Sequence, residues 1–445
     1  MYMNHSAEVC ACGKIHECGP EEWIIGRGAL LRLPKAVERC GAKRVFLLAD
    51  VHTYEAAGRR AEALLKEAGI PFSHFIYDAS PEPDEAAVGA AVMHYDPACD
   101  LVLAVGSGVI GDISKLLARM ANATYVIVAT APSMDGYASS TSSMTMGGLK
   151  VSLPSRGARF IIGDTEILKN APMDMLISGL GDMLAKYVSI AEWRISHVVT
   201  GEYYCEAVAT LIRDSLNKCV THAEGLLRRE EAAVEAVFEG LVTAGAAMSY
   251  AGASRPASGI EHYFSHLWDM RGVEFGEPVS THGMQCAVGT LMAARLYEAL
   301  RGITPDRDKG LAYASAFDRE AWFAALARFL GKGATEMIAL EEREQKYSVE
   351  KHALRLEVIL RHWEELTAIM EREIPPSEEI YSLLQKIGCP TSVEAWGLSP
   401  DILPMTFMAT KDIRDKYILS RLAFDLGVLE ELAATCGAAI GGGKE

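Results

Sequence analysis

The 445-residue sequence lacks any run of about eighteen uncharged apolar residues, the length a membrane-spanning helix needs. Its first residues have neither the basic patch nor the apolar core of a secretory leader. These absences predict a cytoplasmic protein with no membrane partner. Positive charge is also in deficit: 43 Lys and Arg stand against 59 Asp and Glu, a formal net charge of -16. Binding a nucleic-acid backbone needs clustered cations that release counterions, so no nucleic-acid partner is expected. A small phosphorylated ligand is still admitted, because it needs only a local group of donors. The ten cysteines have no secretory context and read as thiols rather than a disulfide framework.

What is present is apolar: half the residues are hydrophobic, enough for a large core and two or three domains. In the first third, short apolar runs alternate with helical patterns: RVFLLAD, PFSHFIYD, DLVLAVG and YVIVAT. That alternation predicts a parallel α/β sheet with strands buried on both faces. From about residue 166 the pattern turns to long amphipathic stretches, so the expected division is an α/β domain over 1–165 and a helical domain over 166–445. Within the latter, 335–374 is highly charged at helical spacing and reads as a solvated helical pair on the surface, without chemistry. The start, CACGKIHEC, gathers Cys10, Cys12, His16 and Cys18, a set that could bind zinc but does not match common finger spacings.

DLVLAVGSGVIGDISKLLARM reads as a buried strand, a turn at Gly106, Gly108 and Gly111, and an amphipathic helix. Such a turn lets backbone approach a ligand, and the N–H groups opening the helix attract a diphosphate. The same glycines would also serve a tight turn for steric reasons alone. Asp50 closes an earlier strand and is placed to accept bonds from an adenosine ribose, which favours NAD over NADP. The next strand runs into ATAPSMDGYASSTSSM, a row of small hydroxyl residues around Asp135, longer than one turn needs.

In SGLGDMLAKYVSI, Ser178 is a candidate N-cap, and Asp182 and Lys186 are one turn apart among apolar neighbours. A carboxylate in that setting needs a partner, and a divalent metal is a strong one. SGIEHYFSHLWD puts His262 and His266 on one helical face, and a second helix opens with His282. Glutamate precedes His262 rather than following it, so this is not the zincin motif. One carboxylate and two imidazoles from three helices make a Lewis-acid site for Zn, Fe or Ni.

GSGVIGDISK, TAPSMDGYAS, SGLGDMLAK, SGIEHYFSH and THGMQCAVGT, in that order and spacing, resemble the sn-glycerol-1-phosphate dehydrogenases, most of all their bacterial AraM-type branch. These lie within the iron-containing alcohol dehydrogenase and dehydroquinate synthase-like superfamily. The resemblance covers roughly residues 20–330 and returns at KDIRDKYILSRLAFDLG. It implies a Rossmann-like α/β N-terminal domain followed by an all-α C-terminal domain, as in dehydroquinate synthase. It also implies an enzyme that uses NAD or NADP and one divalent metal, zinc first and nickel or iron as alternatives. Its reaction would interconvert dihydroxyacetone phosphate and sn-glycerol 1-phosphate by hydride transfer, the metal polarising the C2 oxygen.

Carried over residue by residue, the resemblance assigns Gly106, Ser107, Gly108, Val109, Ile110, Gly111 and Asp112 to the cofactor diphosphate. Thr130, Ser133 and Ser139 also go to the cofactor, and Asp135 to the substrate. Asp182, His262 and His282 become the metal ligands, with Asp182 also beside the substrate and His266 on the substrate side. Dehydroquinate synthases carry glutamate at the Asp182 position and an FGHxxGH context, and this sequence has neither. Candidate phosphate donors are Lys150, Arg255 and the cluster Lys411, Arg414 and Lys416. A homodimer is the expected assembly. Rival readings are a dehydrogenase for glycerol or another small polyol, a lyase acting through transient oxidation, and a silent NAD-binding protein.

Overall fold

The computed structural model describes residues 9–16, 19–147 and 149–438. The chain divides into two compact units, Met1–Met183 with Ala207–Ser254, and Leu184–Glu206 with Arg255–Glu445.

Six strands of the first unit form one parallel sheet: β1 (Glu22–Gly26), β2 (Val45–Asp50), β3 (Phe72–Tyr77), β4 (Leu101–Gly106), β5 (Thr124–Ala129) and β8 (Phe160–Asp164). Their order is β1-β8-β5-β4-β2-β3. Between β5 and β8 the chain makes an antiparallel hairpin of β6 (Thr141–Met146) and β7 (Leu149–Pro154). The inner strands β2 and β4 are buried at every residue, which is why VFLLAD and LVLAVG are continuously apolar. Leu47, Val105, Val126 and Ile162 pack with Leu30, Leu33 and Leu65 from the helices of one face. The edge strand β1 is only half-buried along its length.

Helix Glu231–Ala251 belongs to this unit. Among the described residues it alone is long and apolar enough to cross a membrane, and 72% of that stretch is buried. It is a core helix: Phe238 fills the space beside Gly163 of β8, where an added Cβ would lie 2.1 Å from the ring.

Among its described residues the second unit has helices as its only regular elements. The change from sheet to helix follows Asp164, at the end of β8, while the contacts group helix Glu231–Ala251 with the sheet. The 335–374 segment differs from its expected surface role. It forms helices Ala334–Glu344 and Val349–Glu373, and the longer one packs against helix Lys186–Thr200. Leu356, Ile359, Leu366, Ile369 and Met370 are buried, and Arg355 makes two 2.8 Å bonds to the buried carboxylate of Asp425. Those apolar positions recur at helical spacing beneath the charges, so the segment is amphipathic and one face enters the core.

Candidate functional site

In the first unit the strand ends collect the residues assigned to a cofactor. β4 ends at Gly106, where an added Cβ would lie 2.5 Å from Ile110 of the following helix, Gly108–Met120. Ser107 occupies the N-cap position without a side-chain capping bond. Its hydroxyl is bonded instead to Ser133 and, at 3.1 Å, to Tyr137. The N–H groups opening this helix thus receive no bond from the Ser107 side chain, an arrangement that fits a diphosphate. Val109 and Gly108 are half-buried, whereas Ile110 and Gly111 pack inward. Asp112 points away from that end: its carboxylate takes Lys115 Nζ at 3.1 Å and the Ser143 N–H at 3.2 Å, and its burial raises its pKa.

Lys115, which sequence reasoning left unassigned, is buried and donates to Gly136 O at 2.6 Å, Thr141 O at 3.2 Å and Ser139 Oγ at 3.3 Å. It pins the hydroxyl-rich loop, and Ser139 is spent in that framework. Thr130 is buried beside Ser133, with its N–H on Gly106 O at 3.1 Å. Asp50 does close β2, but its Oδ1 accepts the N–H groups of His52 and Thr53 at 2.9 and 2.8 Å, a capping box.

Helix Met173–Leu184 docks on the same loop through one face. Ser178 is not an N-cap, since it lies inside the helix and its hydroxyl donates to Ser133 O at 3.1 Å. Gly179 is forced by proximity: a Cβ there would lie 1.8 Å from Pro132 O. Asp182, fully buried, accepts the Asp135 N–H at 2.9 Å. Asp135 itself is half-buried. In the second unit, Lys186 is fully buried and donates to Ala257 O at 2.9 Å, so it is no surface charge.

The histidines sit on two crossed helices of the second unit, Ile260–Phe275 and His282–Arg301. The helices approach closely because Gly289 has no side chain; a Cβ there would lie 2.7 Å from Glu261 O. His262 Nδ1 bonds Glu261 Oε1 at 2.9 Å. His282 Nδ1 bonds Ser265 Oγ at 3.1 Å, and Ser265 donates in turn to Gln285 Oε1 at 2.7 Å. Gln285 is held by bonds to Asp269 at 3.1 Å and to Ser280 O at 3.0 Å. A carboxylate, and a hydroxyl already donating elsewhere, can only accept, so each Nδ1 carries the proton and each Nε2 offers a lone pair.

Those lone pairs face one spot. The His262 and His282 rings are 5.1 Å apart, and His266 is 6.1 Å from His282. Cys286 Sγ is 3.7 Å from His282 Nε2, and the donor atoms of His262, His282 and Cys286 all lie within 4.8 Å of one another. Sequence reasoning missed Cys286. The signal was its i+4 spacing from His282 in HGMQC. Burial would raise its thiol, but the two histidines outweigh this and hold it below the ordinary value. Burial, then His282 and Arg414, hold His266 well below the usual histidine range.

The candidate phosphate donors separate in this structure. Arg255 is committed to Glu202 at 2.5 Å and Tyr417 O at 3.0 Å. Lys411 is buried against the Trp322 ring, 3.2 Å from its centroid, and pairs with Asp412 at 3.2 Å. Lys150 lies on β7 in the first unit. Arg414 is exposed, and it and Lys416 both bear electrostatically on His266.

A parallel α/β sheet followed by a helix-rich unit is the fold of solved iron-containing alcohol dehydrogenases. The model of that family, described as iron-containing alcohol dehydrogenase, matches residues 24–172. Solved relatives of the fold include a probable glycerol dehydrogenase from Sinorhizobium meliloti, TM-score 0.62 at 16% identity, covering 95% of this chain and 100% of that one. An iron-containing alcohol dehydrogenase from Thermococcus thioreducens has TM-score 0.64 at 15% identity with the same coverages. In sequence, the chain is 31% identical to a glycerol-1-phosphate dehydrogenase [NAD(P)+] of Halalkalibacterium halodurans, over 66% of this chain and 74% of that one. It is 32% identical to the enzyme of that name from Pyrococcus furiosus, over 62% and 79%. The chain belongs to the glycerol-1-phosphate dehydrogenase family.

Proposed function

We propose that this protein interconverts dihydroxyacetone phosphate and sn-glycerol 1-phosphate with NAD or NADP, and that Asp182, His262 and His282 hold one divalent metal. The observation that carries the reading is the imidazole pair, each ring locked by its Nδ1 so that Nε2 is presented as a ligand. Buried Asp182 adds the negative charge that balances a cation. The neighbouring Cys286 sulfur favours a softer ion, zinc before nickel or iron, over magnesium or calcium. When bound, such a metal supplies Lewis-acid polarisation of the substrate C2 oxygen.

The chain's own groups do the positioning. Gly106 to Gly111 bring an uncapped helix start to the cofactor diphosphate, with Thr130 and Ser133 behind it and Asp50 toward the ribose, while Asp112 and Ser139 hold the loop through Lys115. Asp135 binds a substrate hydroxyl. His266, one turn from His262, orients the reacting hydroxyl and relays its proton. Arg414 and Lys416 take the phosphate: Lys416 Nζ rests on Ser258 O at 2.9 Å, whereas Arg255 and Lys411 are paired with the carboxylates of Glu202 and Asp412. A cytoplasmic homodimer is the proposed setting.

The test is NADH oxidation with dihydroxyacetone phosphate, on chelated protein restored with Zn, Ni or Fe in turn. Turnover restored by metal, with the phosphate ester preferred over dihydroxyacetone, is the expected result. Preference for the unphosphorylated ketone would make it a polyol dehydrogenase. Absence of turnover with every metal would remove the dehydrogenase reading.

A further inference from the structure

A second group of sulfur and imidazole donors lies at the start of the first unit. Cys10, Cys12 and His16 each offer a ligand atom, and these lie within 4.8 Å of one another. The turn that gathers them is tight: the Gly13 N–H donates to Cys10 O at 2.8 Å, and the Cys10 N–H donates to Lys14 O at 2.9 Å. Gly13 has φ +83, a conformation that side-chain-bearing residues rarely adopt, so the short spacing between the cysteines and His16 depends on this glycine. His16 is oriented from behind. Its Nδ1 bonds Tyr250 O at 3.0 Å, and a carbonyl can only accept, so Nδ1 carries the proton. Nε2 then presents its lone pair to Cys12 Sγ, 3.3 Å away.

We propose that Cys10, Cys12 and His16 bind a structural zinc ion. Zinc bonds of about 2.3 Å to sulfur and about 2.0 Å to nitrogen, at a tetrahedral angle, put the two donors about 3.5 Å apart. The Cys12–His16 separation is close to that without any rearrangement. The backbone carbonyl on Nδ1 is the outer partner that zinc-bound histidines characteristically have. Three protein donors leave a fourth position for another sulfur or a water oxygen. Cys18, the remaining member of the sequence cluster, lies outside the described residues. Bound zinc would fasten residues 10–16 to the end of helix Glu231–Ala251 through the His16–Tyr250 bond. It is a structural ion, separate from the one proposed for catalysis.

The experiment counts metal and needs no turnover, so failure of the dehydrogenase reading leaves it standing. A His262→Ala/His282→Ala chain removes the ligands of the other ion. Purified with zinc, it should retain about one zinc per chain through gel filtration. Adding Cys10→Ser/Cys12→Ser should bring the zinc content close to zero. X-ray absorption of the retained zinc should show both sulfur and imidazole nitrogen. Equal zinc content with and without the two serine substitutions, or a shell of only oxygen and nitrogen, would overturn the site. His16→Gln, a milder change, should speed zinc loss to a chelator at least tenfold; an unchanged rate would count against the site even if the serine variant failed to fold.

Discussion

The cofactor end of the first unit and the histidine pair of the second present ligand-ready groups in opposite ways. In the first they are backbone: an uncapped helix start after β4, and a loop whose hydroxyls are bonded to one another and to Lys115. In the second they are side chains, and His262 and His282 are each gripped by another side chain. Backbone donors are fixed by the chain's path, so glycine and close packing set their geometry. Imidazoles rotate, so they need partners such as Glu261 and Ser265. Substitution in the second unit should thus remove chemistry while the fold survives. In the first, it should cost stability.

The largest effect separates the adjacent histidines. His262→Ala should abolish both metal retention and turnover, whereas His266→Ala should lower turnover with metal content intact. Atomic emission on gel-filtered protein and the NADH assay read the two. Equal metal loss in both variants would break the assignment. One step outward, Ser265→Ala frees His282 Nδ1 and should weaken metal affinity roughly 10–100-fold, with a small drop in the melting temperature of the chelated protein because Gln285 Oε1 also loses its donor.

The same contrast decides what the sequence disclosed. VFLLAD and LVLAVG are readable as inner strands because burial on both faces leaves a continuous apolar run. The edge strand β1 is five half-buried residues and carries no such signature. The row of hydroxyls after β5 looked like loop throughout, yet Thr141–Met146 is a strand whose polar residues alternate with buried Ser142 and Met144. Asp182, His262 and His282 were legible through motif and helical spacing. Their supports were not: the chain from His282 through Ser265 to Gln285 exists only because two helices cross where Gly289 permits. Helical periodicity describes one element at a time, and the angle between two elements is outside it. Charge misled in 335–374, where a dense polar face concealed Leu356, Leu366 and Met370.

On the first unit's side, Gly179→Ala tests whether a close approach rather than chemistry explains a motif glycine. Alanine would gain up to about 1 kcal/mol of helix propensity. Against this, its methyl would meet a backbone carbonyl, Pro132 O, at 1.8 Å, and neither side can yield by rotating a side chain. Overpacking of this kind costs roughly 1–3 kcal/mol or more, so urea unfolding should show a net loss. A variant as stable as the parent would show that the helix and the loop are free to separate.

The smallest effect concerns two carboxylates behind His262. Glu192 and Glu261 both crowd Gly259, where an added Cβ would lie 2.6 Å from Glu192 Oε2 and 2.7 Å from Glu261 Oε2. Burial first, then the charge of Glu261, pushes Glu192 from its ordinary 4.5 up to about 8. The folded chain thus holds a proton that the unfolded chain has released over that interval. Stability from this group is fully present below the ordinary value and is lost as pH rises through the folded one. Glu261→Gln keeps the oxygen that accepts from Gly259 and His262, and puts an amide where Glu261 Oε2 has no partner. It can donate to Glu192, removing the like charge and lowering the Glu192 pKa, while the burial contribution remains. Between pH 5 and 8, stability of the chelated variant should therefore decline less steeply than that of the parent. Parallel slopes would mean that the charge of Glu261 does not bear on Glu192, and that burial alone raises it.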